Sequence, residues 1–304
     1  MKNIIICWYG SFNNTGTLGD LYAVISLVNN LKNKYNISCI TNKKYKEISC
    51  NQINLNEINI KKFDLLIFCC GPIMKNHFQL NNLFNKFKNI KYKFGISVSI
   101  LDYNPFDFVL ARQGQNQKYE DIAILSHNLV KNKIINYNKI KIGLVLRGIQ
   151  KEYGVKNCLT NKVNNVLNNF FDLLKINKIE YEKIIIDNHL FYSKLEPQEI
   201  LNQYKKCNLI ITTRFHGSII SLLNNIPFIS IDQIKNGGKL IEMLEGYKYL
   251  YKINDINEKD LLKDLYNIIY DKNINNYLEE YYYNKYNKAK NTISTLLDFL
   301  NNQK

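Results

Sequence analysis

Along this chain, short apolar runs of strand length alternate with longer stretches of helical spacing. Residues 4–9 (IIICWY), 37–41 (ISCIT), 64–70 (DLLIFCC), 93–99 (KFGISVS) and 106–111 (FDFVLA) are the apolar runs. Helical spacing falls at about 19–34 and 79–89. Runs without polar alternation are buried on both faces, and strands separated by helices pair in parallel. After a polar linker the pattern restarts at 139–148 (KIKIGLVLRG). There follow a helix at 160–176, the strand EKIIIDN, a helix at 197–206, the strand NLIITT, a helix at 217–225 and the strand PFISID. The tail from about 257 to 302 is helical and apolar along one face, as suits helices that pack back on the first domain.

This pattern predicts an α/β fold of two domains, 1–137 and 138–304, with the boundary near 135–140 and C-terminal helices at the end. A length of 304 residues agrees, since one core rarely grows beyond about 250. No run reaches the roughly 18 apolar residues of a membrane span, and the apolar start lacks a small-residue cleavage site. The expectation is a soluble, unprocessed, cytoplasmic protein. Seven cysteines, mostly inside apolar runs, read as small core hydrophobes. Cys69 and Cys70 have no second pair to complete a metal set, so no metal is expected.

The net charge of +15 changes the picture less than its size suggests. The lysines are scattered among asparagines in no single stripe, which argues against nucleic acid. They would still attract small anions or a membrane surface, at the inner face for a cytoplasmic protein. Against 38 lysines the chain has three arginines, Arg112, Arg147 and Arg214, and each ends an apolar strand. Where a cation need only be solvated, lysine suffices; where a planar fork must grip a carboxylate or phosphate, it does not.

The richest stretch is Thr212–Asp232, TTRFHGSIISLLNNIPFISID, a strand that breaks at Arg-Phe-His-Gly and runs into a helix. Ligands of parallel sheets bind beyond the carboxyl ends of strands, against helix N-termini. There Arg214 would hold an anion and His216 would move a proton, with Gly217 allowing close approach and Ser218 and its neighbours facing the anion. Arg147 and Lys239 are further candidates for the same donor, with a structural salt bridge and a solvated lysine as the plain readings. The loop YGSFNNTGTLGD carries Gly10, Asn13, Asn14, Gly19 and Asp20, which could cradle an anion or an acceptor, Asp20 taking a proton or only capping a helix. His189, after a strand, joins the acceptor candidates; His77 and His127 read as exposed.

The run R-F-H-G-S-I-I-S-L-L-N-N-I-P-F-I-S-I-D resembles the arginine–histidine signature of the polysaccharide pyruvyl transferases. Looser likenesses lie in Tyr9-Gly10 and Gly19-Asp20, in CCGP, in FVLAR and IGLVLR, and in the helix led by Lys239. The resemblance implies two Rossmann-like domains facing a cleft, like the glycosyltransferase-B enzymes. It further implies transfer of a pyruvyl group from phosphoenolpyruvate to two hydroxyls of a nucleotide- or lipid-linked sugar. Arg214 and His216 match that family's donor-binding pair, and phosphoenolpyruvate is a donor substrate, so no cofactor is implied. Two other readings stay open: a nucleotide-sugar glycosyltransferase of the same architecture, and a non-catalytic binding protein of polysaccharide assembly. The acceptor and the oligomeric state are not readable.

Overall fold

The computed structural model describes residues 1–12, 16–127, 129, 130 and 139–302. These fall into two compact units. Unit 1 comprises Met1–His127, His189–Lys194 and Lys285–Lys304; unit 2 comprises Asn128–Asn188 and Leu195–Asn284. The predicted boundary near 135–140 falls largely on residues outside those described. Two later segments join unit 1, so the units are not divided by one cut.

Unit 1 is built on a six-stranded sheet. Its elements are β1 (Asn3–Trp8), α1 (Leu18–Leu31), β2 (Asn36–Ile40), β3 (Asn51–Ile53), β4 (Leu65–Ile73), α2 (Phe78–Lys86), β5 (Tyr92–Ile100) and β6 (Phe108–Gln113). The strands are all parallel in the order β3-β2-β1-β4-β5-β6, so the winding reverses between β1 and β4. Ile4, Ile5, Ile6, Cys7 and Trp8 are fully buried in β1, as both faces of the sheet demand. Beneath one face lie Phe68, Phe84, Phe87 and Phe106.

Unit 2 contains β7 (Ile140–Val145), α3 (Thr160–Ile176), β8 (Tyr181–Ile185), α4 (Pro197–Lys206), β9 (Leu209–Thr212), α5 (Phe215–Leu223), β10 (Phe228–Asp232), α6 (Lys239–Met243), β11 (Leu250–Lys252) and α7 (Glu258–Tyr270). Its parallel sheet has the order β11-β10-β9-β7-β8 and reverses between β7 and β9. Both orders are doubly wound arrangements of the Rossmann kind.

The last helix, α8 (Ile274–Asn302), begins in unit 2 and ends in unit 1. Within unit 1, Phe299 near the end of α8 stacks on Phe108 at 3.8 Å, and Lys285, near the middle of the helix, sets its buried Nζ on Glu120 Oε2 at 2.9 Å. Leu300 O also accepts from Lys2 Nζ at 2.7 Å. Among the described residues, no helix is long and apolar enough to cross a membrane.

Candidate functional site

In a doubly wound sheet the crevice for a ligand opens where the winding reverses, beyond the carboxyl ends of the strands. In unit 2 that point lies between β7 and β9, and two of the three arginines follow those strands. Their backbones are laced together. Thr212 Oγ1 donates to Val145 O and accepts from Arg214 N–H, both at 2.9 Å. Arg147 N–H donates to Thr213 Oγ1 at 2.7 Å, and Arg214 Nε donates to Leu146 O at 2.9 Å. Two adjacent threonines at the end of β9 thus fix both arginine-bearing turns, a role the TTR spelling carries and composition alone does not.

Arg214 is the extended residue that opens α5, and His216 lies in the first turn, 9% exposed, with its ring 5.5 Å from that of Phe215. Lys239, first residue of α6, sets its ammonium 5.2 Å over the Phe215 ring. Phe215 therefore gathers the lysine to the arginine–histidine turn, a platform that no motif in the sequence marks. Behind it, the Asp232 carboxylate accepts from the N–H groups of Ile234, Gly238 and Ile241 at 3.0, 2.8 and 3.2 Å, which holds the loop that delivers α6.

Gly217 and Ser218 serve helix-to-sheet packing. A Cβ on Gly217 would come 2.3 Å from Thr212 Oγ1 and 3.1 Å from Val145 Cγ1, so only glycine lets α5 sit this close to the strand ends. The Ser218 hydroxyl is fully buried and pairs with Ser230 Oγ at 2.7 Å, turned toward β10. The side-chain contribution expected of Ser218 to an anion therefore gives way to this internal bond. Arg147 has its guanidinium on Glu152, with Nη2 to Oε1 at 2.8 Å, and is 37% exposed. That is the salt bridge weighed from the sequence, here on a surface where it holds a charge beside the turn.

In unit 1 the reversal lies between β1 and β4. Gly10 falls in a short 3-10 turn after β1, and Gly19 is buried in α1. Asp20 is the third residue of α1; its carboxylate accepts from Thr17 N–H at 2.9 Å and Thr17 Oγ1 at 2.8 Å, so it caps the helix with Thr17. Asn13 and Asn14 lie outside the described residues. His189 forms an antiparallel bridge with Thr17, beside the same loop, and Leu190 N–H donates to Gly16 O at 3.1 Å.

Unassigned from the sequence is an aromatic group at the same reversal. Tyr9 meets the rings of Phe12, Phe68 and His77 edge-on at 6.1, 6.1 and 5.6 Å. Gly71, at φ +90°, makes room for it: a Cβ there would lie 2.1 Å from the Tyr9 ring. His77 is half-buried and caps α2, its Nδ1 accepting from Leu80 N–H at 3.3 Å; desolvation holds its imidazole below the usual pKa. Its polar neighbourhood in sequence reads as exposed, while the contact with Tyr9 leaves it half-buried.

Arg112 is buried, its Nη1 on the buried Asp121 and its Nε donating to Ser99 Oγ at 3.3 Å. Burial opposes its charge and Asp121 outweighs that, so the guanidinium stays protonated. It serves the core of unit 1.

Comparison with known proteins bears on this arrangement. The polysaccharide pyruvyl transferase family model matches residues 111–235. The match includes Arg112, Arg147, His189, Arg214 and His216; it begins after the loop of Asp20 and ends before Lys239. No curated protein matches the sequence. Among solved structures, the S. aureus MnaA–UDP complex has a TM-score of 0.59 at 12% identity, covering 99% of this chain and 97% of that one. The UDP-GlcNAc 2-epimerase from Neisseria meningitidis bound to UDP-GlcNAc has a TM-score of 0.55 at 12% identity, covering 98% and 100%. The spinosyn rhamnosyltransferase SpnG, complexed with thymidine diphosphate, has 0.50 at 8%, covering 99% and 100%. At such identities the likeness is one of fold, and it gives the chain the mixed α/β, glycosyltransferase-B-like architecture expected, with helices at the C-terminus.

Proposed function

We propose that this chain transfers the pyruvyl group of phosphoenolpyruvate to two hydroxyls of a sugar, forming a cyclic ketal, in bacterial cell-surface or capsular polysaccharide biosynthesis at the cytoplasmic side. The observation that carries this reading is the convergence of Arg214, His216 and Lys239 around Phe215, with Arg147 beside them at the reversal of one sheet. Phosphoenolpyruvate bears a carboxylate and a phosphate, and a set of fixed cations suits both. The family match over 111–235 supports the same reaction class.

In this reading Arg214 grips the donor and His216 acts as acid or base. A proton added to the methylene carbon leaves C2 open to one sugar hydroxyl, which loses its proton as the C–O bond forms. Phosphate then departs with the C2–O electron pair, and the second hydroxyl closes the ketal as its proton passes to the phosphate. No cofactor or metal is assigned; Arg214 and Lys239 supply the charge, with Arg147 shared with Glu152. Gly10, Asn13, Asn14, Gly19, Asp20 and His189 remain the acceptor candidates, Asp20 at the same time capping α1.

A second reading, a nucleotide-sugar glycosyltransferase, is favoured by the nucleotides bound to structural neighbours, UDP in one and thymidine diphosphate in another. Incubating the protein with phosphoenolpyruvate and candidate nucleotide- or lipid-linked sugars separates the two. Mass spectrometry is expected to find a sugar carrying an added pyruvyl ketal together with released phosphate. A sugar extended by a glycosyl unit, from a nucleotide-sugar donor alone, would favour the second reading and overturn the first.

A further inference from the structure

The positive charge of the chain is concentrated in one unit. Unit 1 holds 20 of the 41 basic residues but only 9 of the 26 acidic ones, which makes it +11 of the total +15. Two of those acids, Glu120 and Asp121, are buried on Lys285 and Arg112, and Asp20 caps α1. They do nothing to offset lysines at the surface.

The imbalance is steepest over residues 65–101. This stretch has Lys75, Lys86, Lys88, Lys91 and Lys93 and no aspartate or glutamate. On the lysine-bearing part of the stretch, Asp102 accepts from Lys75 N–H at 2.9 Å and Asp107 from Lys93 N–H at 2.7 Å, both at backbone groups. Helix α2 runs through the middle. Its inner face, Leu80, Leu83 and Phe84, is in the core of unit 1. Its outer face, Phe78, Asn82, Asn85 and Lys86, is exposed at spacings of four, seven and eight residues, one stripe along the helix. Lys88 and Lys91, both exposed, continue beyond its end.

Phe78 is 76% exposed at the head of this stripe. A single exposed ring is ordinary on a protein surface. Here it lies roughly 12 Å, eight residues of helix rise, from the first of three lysines. A bilayer interface suits that combination: the ring enters the boundary between headgroups and acyl chains, and the ammonium groups meet lipid phosphates. Lys86 gives one N–H to Leu55 O at 2.5 Å, which steadies its stem and leaves the ammonium further donors.

The geometry points to the outer face of α2 as a docking surface for an anionic lipid bilayer, with Phe78 as the inserted ring and Lys86, Lys88 and Lys91 as the headgroup contacts. His77, which caps this helix, touches Tyr9 at the sheet reversal of unit 1, so the docked face adjoins the loop proposed to read the acceptor. That would bring a lipid-linked sugar and the protein to the same surface. The inference stands on charge and exposure in unit 1 and is independent of the chemistry proposed for unit 2.

Sedimentation with vesicles tests it, comparing phosphatidylcholine alone with phosphatidylcholine containing phosphatidylglycerol. Binding is expected with the anionic vesicles only, and should weaken as salt is raised. Each surface lysine is worth about fivefold in affinity, so the triple variant K86Q/K88Q/K91Q should bind on the order of 100-fold more weakly. Phe78→Ser should weaken it further. The charge-matched control K259Q/K263Q/K272Q, at exposed positions of unit 2, should keep most of the binding. Circular dichroism checks that each variant is folded. Equal binding to neutral vesicles, an unaffected α2 triple variant, or an equal loss in the control would overturn the proposal. So would a short DNA duplex that binds more tightly than the vesicles and displaces them. None of these results depends on whether a pyruvyl group is transferred.

Discussion

Replacing Arg214 by alanine is expected to lower acceptor-dependent phosphate release from phosphoenolpyruvate by about 10²- to 10³-fold, the usual cost of removing one fixed donor from developing charge. The guanidinium is held in place. Its Nε is tied to Leu146 O and its backbone N–H to Thr212 Oγ1, so the fork is aimed from two sides before any ligand arrives. Arg214→Lys keeps the charge but loses the planar fork and the Leu146 anchor, and should recover less than a tenth of the lost rate. Initial-rate measurements with saturating acceptor make the comparison. A loss below tenfold in the alanine variant would remove Arg214 from the reaction, and recovery of most of the rate by lysine would reduce its part to a point charge.

The largest expected effect on stability comes from a different place. Lys285 and Glu120 are 7% and 6% exposed and meet at 2.9 Å, where α8 enters unit 1. Removing one partner of a buried pair strands the other, so Lys285→Met should cost about 3–5 kcal/mol. The double variant K285M/E120Q should regain most of that, because neither member of the pair then leaves an uncompensated charge. Trp8 is the single tryptophan and is fully buried in unit 1, so its fluorescence during urea unfolding reports this unit.

The cost should also depend on pH. Burial raises the Glu120 carboxyl above its ordinary pKa even beside Lys285, and without the lysine it should rise further. With the folded value above the unfolded one, the native state holds the proton more tightly. The penalty of Lys285→Met is therefore full at neutral pH and shrinks as pH falls toward the ordinary glutamate value of about 4.3. A pH-independent loss, or a double variant no better than the single one, would mean that α8 is held by Phe299 and its apolar neighbours instead.

Much of the fold was legible because its signals are long and one-sided. Runs such as IIICWY and LLIFCC are strands because nothing polar interrupts them, and the helices between them fix the parallel sense. Two strands carry no such signal. NQI at β3 and LYK at β11 are three-residue edge strands, half in solvent, where packing exerts little pressure on composition. The turn at Arg214 was visible because arginine is rare in this chain and therefore informative. Arg112 is as rare, yet its partner Asp121 lies nine residues away across a polar stretch, and no local spelling separates a buried ion pair from a ligand-holding cation.

The loops of unit 1 were harder to read for a physical reason. Tyr9 and His77 belong to different loops, and only the sheet reversal between β1 and β4 brings them together. The room left by Gly71 for the tyrosine ring is likewise a matter of three-dimensional clearance, invisible in a CCGP string that reads as a turn.

The account rests on the Arg214 turn holding a small donor with a carboxylate and a phosphate, and equilibrium titration of phosphoenolpyruvate by calorimetry meets that claim most directly. Saturable binding by the unaltered protein is predicted, weakened at least tenfold in Arg214→Ala and left intact by an equal concentration of UDP. Equal affinity in the variant, or binding of UDP with no binding of phosphoenolpyruvate, would contradict it.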